Sequence, residues 1–192
     1  MTTIGVLALQ GDFESHLVML RRLGVSVREV RRQAELEGLS GLIIPGGEST
    51  VMHRLAAEYG LEEPIVSAIH GGLPVFGTCA GAILLGRASE VRPPRWAAID
   101  ISTERNAYGR QKESCTLRLP LTSIGEFECV FIRAPRLFDP GPGVTVLGRR
   151  GDDIILAREK NVLVATFHPE LTEDHRLHRY FLREVVGAEL AV

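Results

Sequence analysis

Short, continuously apolar runs alternate with stretches of helical spacing through the first half of the chain. Ile4–Leu9, Val25–Val30 and Leu42–Pro45 read as strands, and the segment from Asp12 to Leu23 between the first two carries the three-to-four spacing of a helix. The runs "IGVLAL", "GLIIPG", "LPVFGT" and "NVLVATF" are apolar at nearly every position rather than at every second one. Strands covered by helices on both faces of a mostly parallel sheet have that signature. Further helices are predicted over Ser49–Tyr59, Glu63–His70, Ala80–Leu85 and Thr172–Val186, the last opening on a threonine cap. From Ala97 to Arg158 the pattern changes to β-type segments, "AAIDIST", "CTLRLP", "ECVFIRA", "VTVLGRR" and "DDIILARE", with a turn signal in "FDPGPG". The expected architecture is therefore an α/β, three-layer open sandwich with a mostly parallel central sheet and antiparallel additions. "EVRPPRW" reads as a surface connection within it.

A length of 192 residues suits a single domain spanning 1–192. The net charge of −2, with acidic and basic residues interspersed, offers no basic face for nucleic acid and no acidic tail. The start "MTTIGVLALQGD" lacks a basic n-region and a small-residue cleavage site, and no apolar run reaches the roughly 18–20 residues of a membrane span. Three cysteines, Cys79, Cys115 and Cys129, form neither an even-numbered framework nor a CxxC pair. A reducing cytoplasm and small-molecule partners fit this composition, and no motif calls for a metal or a cofactor.

Ligands of open α/β sheets collect beyond the carboxyl ends of the strands, where "PGGEST", "GTCAG" and "FHPE" fall. Gly77-Thr78-Cys79-Ala80-Gly81 has the G-x-nucleophile-x-G spacing of a strand-to-helix elbow. A helix N-terminus at Cys79 would favour thiolate over the thiol, whose ordinary pKa is about 8.5. The competing reading of Cys79 is a buried core thiol. His168, just past an apolar strand, supplies a base, and Glu170 two residues on suits the second imidazole nitrogen. Pro169 biases the backbone of His168 toward extended geometry. Backbone amides of Gly46 or Gly47, with that of Ala80, are candidate oxyanion donors. The alternative for "PGGEST" is a plain turn capped by Ser49. His16, His53 and His70 read as structural, His175 and His178 form at most a weak metal pair on a helix, and Cys115 and Cys129 read as packing residues.

With these pieces together the chain resembles the class I, triad-type glutamine amidotransferases. "LALQGD" (7–12), "PGGEST" (45–50), "GTCAG" (77–81), "ERNAYGRQ" (104–111), "FIRAP" (131–135) and "ATFHPE" (165–170) are similar, in order, to the glutaminase subunits of pyridoxal 5′-phosphate synthases. "WAA" at 96–98 departs from a stretch usually richer in glycine and leucine. The resemblance implies hydrolysis of L-glutamine through a thioester on Cys79, with His168 moving protons and Glu170 orienting it. It also implies glutamine contacts at Gly47, Glu48, Ser49, Arg105, Ile132 and Arg133, for two of which guanidinium suits an amino-acid carboxylate. Gln10 and Gly11 are expected near the same cleft. The implied partner is a barrel-shaped synthase subunit in a large hetero-oligomer, which takes the ammonia and switches on an otherwise poorly active glutaminase. Two rivals remain: the glutaminase of another synthase, such as that of histidine synthesis, and a non-catalytic α/β binding module. "LALQGD", "PGGEST" and "ERNAYGRQ" argue against the first, and the intact Cys79, His168 and Glu170 against the second.

Overall fold

The continuously apolar runs become the middle of one sheet. A computed structural model describes residues 2–87, 96–105 and 114–190. Its strands are β1 (Thr3–Leu7), β2 (Ser26–Val30), β3 (Gly41–Ile44), β4 (Val75–Thr78), β5 (Ser102–Glu104), β6 (Ser114–Leu121), β7 (Gly125–Ile132), β8 (Arg136–Phe138), β9 (Thr145–Arg150), β10 (Asp153–Glu159) and β11 (Val162–Ala165). Helices are α1 (Phe13–Arg22), α2 (Ser49–Glu58), α3 (Glu62–His70), α4 (Ala80–Leu85) and α5 (Arg176–Tyr180). The sheet runs β2-β1-β3-β4-β11-β10-β9-β6-β7, with β5 and β8 attached through β10. Pairing is parallel from β2 to β11 and antiparallel beyond.

Period-two alternation divides the parallel strands between two apolar layers. Leu42, Ile44, Val75, Val162 and Val164 face one cluster, with Met52 and Ala56 of α2, Ile65 and Ile69 of α3 and Leu84 of α4. Ile43, Phe76, Leu163 and Ala165 face the other, with Leu17 and Leu20 of α1 and Leu177 of α5. Both faces are covered, which is why β3, β4 and β11 are buried at every position. The outer hairpin β6–β7 instead alternates, burying Phe127, Cys129 and Phe131 on one face only.

Because β1 neighbours both β2 and β3, the strand order reverses there, and the crevice at such a switch point is where α/β sheets bind ligands. Gly11, after β1, has φ +93°, and a Cβ on it would overlap the carbonyl oxygen of Gly46 after β3. The two loops thus meet backbone to backbone at the head of the crevice.

The expected architecture is present, with local corrections. The helix expected over Thr172–Val186 begins only at Arg176: the Thr172 hydroxyl receives the Asp174 amide at 3.2 Å and donates to the Pro169 carbonyl at 3.1 Å, closing a turn rather than a helix. Its last turn, Phe181–Val185, widens to a π-helix. A short 3₁₀ turn at Gln33–Leu36 has no counterpart in the apolar pattern. Of "AAIDIST" only the end is strand, and β1 stops at Leu7. The end of "EVRPPRW" is not at the surface: Trp96 is buried and its indole N–H reaches the Glu62 carboxylate at 3.2 Å. Residues 90–95 of that segment lie outside the described residues.

Candidate active site

Cys79 links β4 to α4 with φ 48° and ψ −103°, a left-handed backbone that a non-glycine residue holds only when its surroundings impose it. The flanking glycines explain the imposition. A Cβ on Gly77 would stand 2.7 Å from the Gly81 carbonyl carbon, and one on Gly81 would overlap the Ile44 carbonyl of β3. The elbow closes only if both are glycine, and the Cys79 amide then donates to the Ala165 carbonyl of β11 at 2.8 Å. Its thiol sits in a near-buried position, with Sγ 3.8 Å from the Ile132 carbonyl oxygen.

β11 delivers the second group. The His168 amide donates to the Val130 carbonyl at 2.8 Å, tying the loop to β7, and Pro169 opens a 3₁₀ turn that brings Glu170 back to the ring. His168 Nδ1 lies 2.7 Å from Glu170 Oε1. Burial opposes a charge on His168, but hydrogen bonds to Cys79 and Glu170 and the negative charge of both outweigh it and raise the imidazole to about 10. Burial likewise pushes the Glu170 carboxyl up, while His16 and His168 hold it below its usual range. Imidazolium and carboxylate are thus the favoured forms of His168 and Glu170, so that Nε2 carries a proton toward Cys79.

These groups open onto a cleft of about 210 Å³. Gly47, Glu48, Ser49, Ala80, Arg105, Ile132 and Arg133 all line it beside Cys79 and His168, and so do Gln10 and Ile83. Gly46 does not: it packs against the His168 ring, where a Cβ would overlap Cε1. The cap of α2 is Glu48 rather than Ser49, its carboxylate receiving the amides of Thr50 at 3.2 Å and Val51 at 2.9 Å. Despite desolvation those amides and Arg105 hold Glu48 below the usual carboxylate range. Arg105 donates to Glu48 at 2.6 Å and to the Thr50 hydroxyl at 2.7 Å. The Glu48 amide donates to Gln10 Oε1 at 2.7 Å. Ser49 Oγ is buried without a hydrogen-bond partner among the described residues. A zwitterion could exchange with the Arg105–Glu48 pair, carboxylate to one and ammonium to the other. Residues 106–111 of "ERNAYGRQ" lie outside the described residues.

Cys129 sits in the core, where burial pushes its thiol up to about 12, and Cys115 is half-buried beside an Arg150 nitrogen at 3.5 Å. Among the described residues no group of three His, Cys, Asp or Glu could hold a metal. Two histidines read as structural or metal-pairing belong elsewhere: His16 and His178 are fully buried behind Glu170. They come from opposite ends of the chain, and only the buried polarity of His16 on the apolar face of α1 marked it in the sequence.

The SNO glutamine amidotransferase family model matches residues 6–187. A curated relative from Thermus thermophilus, named pyridoxal 5′-phosphate synthase subunit PdxT, is 54% identical over 187 residues, covering 96% of this chain and 97% of its own. One of the same name from Pelotomaculum thermopropionicum is 51% identical over 188 residues, covering 96% of each chain. A crystal structure of a glutamine amidotransferase, 50% identical, superposes with a TM-score of 0.91 over 96% of this chain and 99% of that one. A glutamine amidotransferase from Thermotoga maritima, 12% identical, shares the fold with a TM-score of 0.65 over 97% of this chain and 99% of that one. By the family match and these identities over nearly its whole length, the chain belongs to the SNO glutamine amidotransferase family.

Proposed function

We propose that this protein hydrolyses L-glutamine to L-glutamate and ammonia and hands the ammonia to the synthase subunit that builds pyridoxal 5′-phosphate. The observation that carries the reading is the meeting of a strained Cys79 elbow, His168 and Glu170 in a cleft furnished with opposite charges at Arg105 and Glu48. Arg105 and Arg133 take the α-carboxylate and Glu48 the α-ammonium, directing the side-chain amide toward Cys79. The thiolate attacks the amide carbon, and the C=O electron pair moves onto oxygen, where amides of Gly47 and Ala80 receive the negative charge. His168 Nε2–H protonates the departing nitrogen as the C–N bond breaks, leaving a thioester and neutral imidazole. That imidazole then takes a proton from water, the hydroxide adds to the thioester carbonyl, and collapse of the second oxyanion returns thiolate and imidazolium. Glu170 holds the Nδ1 proton and the ring orientation throughout.

The relatives' name as a pyridoxal 5′-phosphate synthase subunit supports the destination of the ammonia. The partner is a barrel-shaped synthase subunit that builds its product from a pentose phosphate, a triose phosphate and ammonia within a large hetero-oligomer. Docking is the switch. The Gln10–Glu48 hydrogen bond holds the loop that carries the oxyanion amides, and a partner seated over it shifts the loop to its productive arrangement. Free thiols at all three cysteines suit a cytoplasmic enzyme.

Ammonia release from glutamine, measured with and without the synthase subunit and with Cys79→Ala as the blank, tests the proposal. Cys79-dependent release that rises strongly with the partner is expected. Partner-independent release removes docking control, activation by the histidine-pathway synthase alone reassigns the partner, and no Cys79-dependent release in either condition overturns the glutaminase reading.

A further inference from the structure

Glu170 uses one carboxylate oxygen on His168; the other, Oε2, is buried and makes no hydrogen bond of good geometry among the described residues. Such an oxygen is costly inside a protein unless something positive or proton-bearing faces it. What faces it is His16 of α1, whose Nε2 lies 3.4 Å away. The same nitrogen is 3.3 Å from the hydroxyl of Thr78, the residue before the nucleophile. His16 Nδ1 in turn lies 2.9 Å from Nε2 of His178 in α5, whose ring meets the edge of Phe76. A line of side chains therefore runs from Cys79 through His168, Glu170 and His16 to His178.

The proton positions along this line follow from what is unpartnered. His178 Nδ1 is buried with nothing among the described residues to receive a hydrogen, so a hydrogen there would be an orphaned donor. The hydrogen belongs on His178 Nε2, donated to His16 Nδ1. His16 then carries its own hydrogen on Nε2, aimed at Glu170 and Thr78. The opposite assignment would strip His16 Nε2 of its hydrogen and set a lone pair against a carboxylate. Both rings are neutral: burial lowers the two imidazoles, which outweighs the pull of Glu170 and Asp12 on His16 and is reinforced by His168 on His16 and by His16 and His175 on His178.

We infer that His16, held in one tautomer by His178, is a positioning residue that fixes the outer oxygen of Glu170 and so keeps the carboxylate charged and in line with His168. The inference rests on the glutaminase reading of Cys79, His168 and Glu170. It joins α1 and α5, the helices covering one face of the sheet, to the chemistry at its edge.

The test uses the full chain with its synthase subunit and four forms: wild type, His16→Leu, His16→Gln and Glu170→Gln, plus the His16→Leu/Glu170→Gln double variant. His16→Leu is expected to lower kcat about tenfold, the lower end of the cost of leaving a buried charged oxygen with no proton-bearing group before it, with KM for glutamine unchanged within about twofold. It also moves the alkaline limb of the pH–rate profile to lower pH, because a carboxylate no longer held in line with Nδ1 supports the imidazolium less. His16→Gln, whose amide nitrogen falls near the imidazole Nε2, restores most of the rate and the limb. In the Glu170→Gln background His16→Leu costs less than about twofold more, since residues acting through one another are not additive. Equal losses in both backgrounds, a glutamine variant no better than leucine, or an unmoved pH profile would reduce His16 to packing and overturn the inference. A wild-type chain with no Cys79-dependent release overturns the glutaminase reading itself, a result separable from all of these.

Discussion

Gly46 stands behind the imidazole of His168 without itself lining the cleft, which makes it a lever on proton transfer. A methyl group at this position would overlap Cε1 and stand 2.9 Å from Nδ1 and 3.3 Å from Nε2. Ordinary contact between heavy atoms begins near 3.5 Å, so the ring must retreat by about 1 Å. It has little room to do so while keeping its partners, since Glu170 holds Nδ1 at 2.7 Å and the Val130 carbonyl holds the backbone amide at 2.8 Å. A displacement of about 1 Å in a reacting group costs on the order of 100-fold in rate. Gly46→Ala is therefore expected to lower kcat for Cys79-dependent ammonia release by about 30- to 300-fold, with KM for glutamine within about threefold of wild type. Gly46 is not among the positive-φ glycines, so alanine meets no backbone strain and the variant should melt cooperatively. The assay is coupled ammonia release at saturating synthase subunit, alongside a melting curve. A folded Gly46→Ala chain working within about threefold of wild type would refute the steric argument, and a change confined to KM would place the methyl's effect on the cleft rather than on His168.

The imidazolium of His168 persists to about 10, so the rate should hold through neutral pH and fall as pH rises through that value, when the proton donor for departing nitrogen is lost. Glu170→Gln removes the charge that supports it and should bring the fall to lower pH; an unmoved limb in rate profiles would contradict the assignment. Arg105→Ala should raise KM for glutamine by about tenfold with a smaller effect on kcat, as expected for losing a charge-assisted contact; an unchanged KM in steady-state kinetics would remove Arg105 from substrate binding. Stability should fall on acidification below about pH 6.5, by up to about 2.7 kcal/mol per pH unit for two groups, because unfolding lets His16 and His178 take protons that burial denies them in the fold. His168 opposes this slope near pH 7 to 6.5, where only its folded form is fully protonated, and adds none well below that, while Glu170 adds its own loss only as pH falls below its unfolded value near 4.5. Denaturant titrations between pH 7 and 5.5 that show constant stability would contradict the buried neutral pair.

The chemistry legible in the sequence was the chemistry carried by local spacing. Gly77 and Gly81 flank Cys79 because α4 must pack against its own strand, a steric demand that acts within five residues, and against Ile44 of β3. His168 and Glu170 are two residues apart and joined by a turn that Pro169 opens. The inner strands β3 and β11 are readable because burial on both faces leaves no polar position in them, whereas the edge strand β2 carries Ser26, Arg28 and Glu29. Arg105 and Arg133, by contrast, look like ordinary strand-end residues, and only the family resemblance singled them out. The sequence pattern alone gives His16 as structural and His178 as half of a weak metal pair, because the partners lie far along the chain: 162 residues separate the two rings that touch at 2.9 Å. α5 starts later than the pattern predicts for a local reason, since Thr172 and Asp174 use their side chains to turn the chain rather than to cap a helix.

The central claim is that Cys79 carries the glutamyl group between the two halves of the reaction. The direct measurement is the mass of the chain, acid-quenched during turnover of glutamine with the synthase subunit present, followed by peptide mapping. A glutamyl adduct on the Cys79 peptide, absent from Cys79→Ala and discharged on standing with free partner and no further glutamine, is the predicted result. An adduct elsewhere, or turnover that persists in Cys79→Ala, would contradict the account.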